Sequence, residues 1–171
     1  DQVPLVRRQL EEMKLVSFRA FFKPDSKIET ALFRQVGFEL VKLKEHFVMD
    51  PGLEPPLTSC KSRGNLRRGQ RVWQVRPIAF ADHAETFLSF YQALKRRRRF
   101  SHITALPDEH FWGLTGWSSL ATLGAFDSRG LGAVLVALRW RHEIHFHAVA
   151  GAERAYRTNG FYALYQGAIE Q

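Results

Sequence analysis

Three runs in the last third of the chain, Leu120 to Phe126, Leu131 to Trp140 and Ile144 to Ala150, constrain its fold more than any other feature. Each reads as a strand, an apolar run bounded by turn residues. The joins between them, Asp127-Ser128-Arg129-Gly130 and Arg141-His142-Glu143, have the length and residue types of hairpin turns. The expectation is an antiparallel three-stranded meander. Arg129-Gly130-Leu131-Gly132 follows a strand but leads into another strand, so it reads as a hairpin turn and not as a phosphate loop.

Helices are expected before and after the meander. Ala81-Asp82 opens an amphipathic helix in which Phe87, Phe90, Tyr91 and Leu94 share one face and which ends in the basic run Lys95 to Arg99. Leu106-Pro107-Asp108 begins a second helix through Phe111, Trp112 and Leu114, with Pro and an acid where each fits best. Ser62 to Gly69 is a basic short helix or turn, and Val72 to Ile78 a strand. Gly151 to Asn159 reads as a polar loop, and a final helix from Gly160 is expected to run on to Gln171.

The N-terminal part reads as strand, helix, strand: Leu15 to Phe22, Ile28 to Val36, and Phe38 to Met49. Gly37 stands where the helix would close in a left-handed conformation. Pro51, Gly52, Pro55 and Pro56 then mark a boundary. Two units follow from this, residues 1–56 and 57–171. The fold class is α/β in the α+β sense, a mostly antiparallel central sheet flanked by helices and preceded by a partial lobe.

Composition narrows the class of partner. The 25 Lys and Arg residues exceed the 17 Asp and Glu, a formal charge of +8 that calls for an anionic partner. A single cysteine, Cys60, excludes an internal disulfide framework and suits a reducing, cytoplasmic setting. No 18-residue apolar run exists, so no transmembrane segment is expected.

Several segments together resemble the FemAB-like branch of the GNAT acyltransferase superfamily, the group that includes cellulose-biosynthesis-type acetyltransferases. They are SRGNLRRGQRVWQV, FLSFYQALKRRRRF, LGAFDSRGLGAVLVAL and AERAYRTNGFYALYQGAIE, which together span most of residues 61–171. RQVGFELVKLKEHFVMD is similar to the Gly-Phe strand that closes a preceding lobe. The resemblance implies a GNAT-like lobe that moves an acetyl or aminoacyl group from acetyl-CoA or another acyl-CoA to an amine-bearing acceptor, with a homodimer as one arrangement. Of that family's Arg/Gln-x-x-Gly-x-Gly/Ala pyrophosphate loop, only Arg157-Thr158-Asn159-Gly160 is present.

Residue chemistry assigns candidate roles within this frame. A glycine-ended loop at a helix N-terminus offers backbone N–H donors and a favourable dipole to a pyrophosphate. Val149, Ala150, Arg157, Thr158, Asn159, Gly160 and Phe161 are the candidate cofactor residues, although Asn159-Gly160 reads equally as a plain turn into the helix. Transfer to an amine needs a base, and His145 and His147 project from one face of the last strand with Phe146 on the other. His147 is the preferred base; the alternative is a hydrogen-bonded structural imidazole. Tyr156 and Tyr165 are candidate acids for the leaving thiolate, or else packing residues. Arg67, Arg68 and Arg98 are candidate substrate contacts.

The histidines His142, His145 and His147 lack metal-site spacing, so no metal is expected. A second function stays open, a non-catalytic basic module binding nucleic acid or another polyanion through its cations and aromatic residues.

Overall fold

The computed structural model describes residues 3–12, 30–35, 37, 59–100, 105–140 and 143–170, and the chain divides into two compact units, Asp1–Val48 and Met49–Gln171. The strands expected at 15–22 and 38–49 and the boundary at 50–56 lie outside the described residues. So does the middle of the 141–143 join.

In the first unit, α1 (Val3–Glu12) is a helix that periodicity had not suggested. Pro4 sits in its first turn, where a missing N–H costs nothing, and Arg8 Nε reaches Glu12 Oε1 at 3.1 Å one turn on. α2 (Thr30–Gln35) occupies the expected helix. Gly37 closes it at φ 86°, donating its N–H to the Arg34 carbonyl at 3.0 Å.

The second unit begins with α3 (Cys60–Val72), whose N-terminus is capped by Ser59 Oγ accepting from the Ser62 N–H at 3.1 Å. This helix is longer than the expected 62–69, and it confines β1 to Gln74–Pro77 because the backbone becomes extended only at Trp73. α4 (Phe80–Arg98) and α5 (Asp108–Leu114) follow, then β2 (Leu120–Asp127), β3 (Gly130–Trp140) and β4 (Glu143–Gly151). The expected polar loop at 151–159 contains a short helix, α6 (Glu153–Arg157). α7 (Gly160–Ile169) closes at Ile169 instead of running to Gln171.

The four strands form one antiparallel sheet in the order β1-β2-β3-β4, so the fold is α+β as expected. α4 and α5 cover the face carrying Val134, Val136 and Ala150. α3, α6 and α7 cover the face carrying Leu123, Ala125, Ala133 and Leu135. Phe87 and Phe111 are fully buried on the first face, 4.9 Å apart in edge-to-face contact, and each contributes about 1.5–3 kcal/mol by leaving water.

Two bulges interrupt the register. Opposite Ala125-Phe126, β3 carries an extra residue, Gly132, where the Trp73 ring occupies the space a Cβ would need. Opposite Val136-Ala137, β4 carries an extra residue, His147. Among the described residues, no helix is long and apolar enough to cross a membrane.

Candidate functional site

The start of α7 is held from below. Asn159 adopts the left-handed conformation at φ 61°, and its carbonyl accepts from the Tyr162 N–H at 3.1 Å. Buried Trp73 donates its indole N–H to Thr158 Oγ1 at 2.9 Å, and that hydroxyl donates to the Arg154 carbonyl at 2.7 Å. Gly69 of α3 approaches so closely that a Cβ there would run into the Asn159 carbonyl oxygen. Gly160 is buried, and a Cβ on it would lie 3.0 Å from Trp73 Cε2. The glycine therefore serves close packing beneath the turn, while donors for any anion have to point the other way.

This turn sits at one end of β4. The Phe161 ring lies 2.9 Å from where a Gly151 Cβ would be. Val149 packs on the same face as Phe161, and Ala150 is buried on the opposite face. The candidate cofactor residues on β4 and on α7 are thus neighbours.

Cations gather at the same corner. Glu153 receives Arg97 Nη1 on Oε2 at 3.3 Å and Arg157 Nε on Oε1 at 3.2 Å, so two guanidinium groups from α4 and α6 share one carboxylate. The trio keeps a net charge of +1. The Arg97 guanidinium lies 3.6 Å over the Tyr156 ring, which packs against Phe161 at 4.3 Å between ring centres. Arg98 is exposed beside Arg97 at the end of α4. Arg67 and Arg68 are exposed on α3, immediately before the glycine that touches Asn159. Two basic segments thirty residues apart in sequence therefore both end near the α6–α7 turn.

His147 faces the other way from this turn. Its place in the bulge puts it on the α4–α5 side together with Ala148, while Phe146 stacks on Tyr165 of α7 at 5.7 Å between ring centres. Across that side His147 Nε2 meets His110 Nε2 of α5 at 2.7 Å, with the two rings half-buried. Burial, with His110 and His145 as nearby positive charges, holds the His147 pKa below its ordinary 6.5. Burial and the neighbouring Tyr156 push the Tyr165 hydroxyl up, so that it stays protonated at neutral pH. Tyr156 and Tyr165 both have ring partners, as a packing role requires.

His110 of this region was not singled out by its sequence context: it lies within an ordinary helical segment, and only the fold brings it to His147. Trp73, expected with Phe100 and Trp112 as an aromatic neighbour of the basic surface in the nucleic-acid reading, is instead buried. Among the described residues, no group of three or more His, Cys, Asp or Glu side chains is arranged to hold a metal ion.

No family model matches the chain, and no curated protein matches it. Among solved structures it resembles a possible acetyltransferase from Clostridium difficile 630, at 13% identity and a TM-score of 0.46 over 58% of this chain and 70% of that one. It also resembles an aminoglycoside acetyltransferase, meta-AAC0020, from an uncultured soil metagenomic sample. In complex with sisomicin that protein gives 11% identity and a TM-score of 0.43 over 59% of this chain and 70% of that chain. In complex with trehalose it gives 10% and 0.43 over 58% and 69%.

Proposed function

We propose that this chain is an N-acyltransferase of the GNAT type, moving an acetyl or aminoacyl group from an acyl-CoA to an amine-bearing acceptor. One observation carries the reading: a left-handed Asn159 opens α7 at the end of β4, and the guanidinium groups of Arg97 and Arg157 are gathered beside it. Backbone N–H groups at a helix start and flexible cations beside them are what a pyrophosphate requires. β4 lies at the end of the strand order, so among the described residues its outer edge has no strand partner. An extended, amide-bearing carrier arm can pair with such an edge. His147 lies four residues before Gly151, about 13 Å along the strand at 3.3 Å per residue, which is the reach the arm has to span.

In this reading His147 takes the proton from the attacking amine, while Tyr165, which keeps its own proton, packs on Phe146 at the other face of the sheet. Arg97 and Arg157 hold the carrier phosphates, while Arg67, Arg68 and Arg98 supply the surrounding positive field. The segment 1–56 is read as the end of a preceding lobe.

The test is thermal unfolding with and without a panel of acyl-CoAs, acetyl-CoA among them. A ligand at a hundred times its Kd should add about 2.7 kcal/mol of stability, a clear rise in Tm. Arg157→Glu, at an exposed position, should reduce that rise; Gly160→Trp is unsuitable because it would drive a side chain into Trp73. Equal melting with every acyl-CoA would overturn the reading.

A second reading has its own observation. Lys61, Arg63, Arg67, Arg68 and Arg71 are all exposed on α3, a helix without an acidic residue, which suits nucleic acid or another polyanion. Salt-sensitive oligonucleotide binding that survives Arg157→Glu would favour it.

A further inference from the structure

The contact between His110 and His147 has a chemical consequence that follows from proton counting. Two imidazole nitrogens 2.7 Å apart can hold one proton between them; two N–H groups pointing at each other would clash. In the neutral pair one ring therefore carries its proton on Nε2, and the other must carry its proton on Nδ1. Which ring is which decides whether His147 is of use as a base. Among the described residues neither Nδ1 has a hydrogen-bond partner.

The two rings are held by different parts of the fold. His110 is the third residue of α5, its N–H reaching the Pro107 carbonyl at 3.2 Å, and its ring stands edge-on to Phe111 at 5.3 Å. His147 is held in place by the β4 bulge, with Val136 pairing Ala148 on one side and Ala137 pairing Phe146 on the other. The ring centres lie 5.0 Å apart at 41°. The carboxylate of Asp108, two residues before His110, accepts from Gln92 Nε2 at 2.6 Å. His145 is the other titratable group whose charge reaches His147.

We propose that His110 is a positioning residue for His147, accepting its Nε2–H and so leaving His147 Nδ1 bare to take the proton from the acceptor amine. This rests on the acyltransferase reading above. The amine nitrogen forms its bond to the acyl carbon of a thioester, and its proton goes to His147 Nδ1. The C–S electron pair leaves with the thiolate, which then recovers that proton. While His147 is charged, its Nε2–H to His110 becomes a charge-assisted hydrogen bond, shorter and stronger than in the neutral pair. The logic is that of a base oriented by a third group, with an imidazole standing where a carboxylate is more familiar.

Nitrogen-15 NMR of the histidine rings in the unaltered protein tests the pairing without any substrate. The expected result is Nε2–H with bare Nδ1 on His147 and the reverse on His110; the opposite assignment overturns the proposal. Kinetics test its use. His147→Gln should lower kcat by about 10²-fold or more, the range for loss of a general base. His110→Phe should lower kcat by ~10-fold or more with KM unchanged, and His110→Gln, whose carbonyl oxygen can still accept the Nε2–H, should recover most of the loss. Full activity in His110→Phe would overturn the proposal. Absence of turnover with every acyl-CoA would remove the acyltransferase reading, while the tautomer assignment would still decide the pairing.

Discussion

Trp73 donates its indole N–H to Thr158 Oγ1 at 2.9 Å, joining the end of α3 to the turn before α7. Trp73 is buried, so the bond satisfies a donor that has no access to water. Replacing Thr158 with Val keeps the shape and removes the acceptor. The expected cost is about 1–2 kcal/mol, read from the urea midpoint. If acyl-CoA binds at this turn, the same variant should also show a smaller ligand-induced rise in Tm.

Two glycines of α3 should respond oppositely to the same change. Gly64 has open space around it, so Gly64→Ala should stabilise by about 0.5–1 kcal/mol through helix propensity. Gly69 faces the Asn159 carbonyl oxygen at a distance no Cβ can occupy, so Gly69→Ala should destabilise by about 1–3 kcal/mol as backbone gives way. Thermal melts of the two variants side by side check the pair.

Thr122 is 7% exposed, and its hydroxyl has no hydrogen-bond partner among the described residues. A buried hydroxyl without a partner costs stability, and Val has the same branched shape without it. Thr122→Val should raise stability by about 1 kcal/mol, measurable by urea unfolding.

Asp127 and Arg154 tie the β2–β3 turn to α6. Burial pushes the Asp127 carboxyl up, but the Arg129 N–H on Oδ1, Arg154 Nε on Oδ2 and the charges of both arginines outweigh it and hold the carboxyl below its ordinary 3.8. Arg154 also donates to the Leu131 carbonyl at 2.9 Å. Because the folded pKa is the lower one, the pair's contribution is complete above the unfolded value and disappears as pH falls through the folded one. Asp127→Asn should cost about 1–3 kcal/mol at pH 7. The gap from the unaltered protein should begin to narrow only below about pH 4, near the carboxylate's unfolded pKa, and close as pH falls through the folded one. Urea midpoints at neutral pH and through that acid range test this.

His147 is a usable base only when neutral, and burial with His110 and His145 nearby lowers its pKa. The acidic limb of kcat/KM for acyl transfer should therefore lie below pH 6.5, the ordinary value. A limb at or above that value would point to a different base.

Much of the fold was legible because its signals are local. The three apolar strand runs, the Asp127-Ser128-Arg129-Gly130 turn, the aromatic stripe of α4 and the Gly37 closure depend on neighbouring residues, and each is where local pattern and turn chemistry put it. The expected loop hid the short helix α6 because five residues, three of them charged, are too few to show an apolar period around Ala155. The long α3 was underestimated for a related reason, since its inward contacts are made by Gly69 and not by a row of large apolar side chains.

The sequence by itself determined which segments extend, which segments coil and where cations cluster, since those properties follow from spacing of a few residues. Tertiary structure alone decided that the Nε2 atoms of His110 and His147 meet, that Arg97 and Arg157 meet on Glu153, and that Gly160 is a packing glycine beneath the turn. These relations join residues tens of positions apart, or depend on a single extra residue in β4. Such proximity is created by the sheet register and the helix packing, which no local pattern contains.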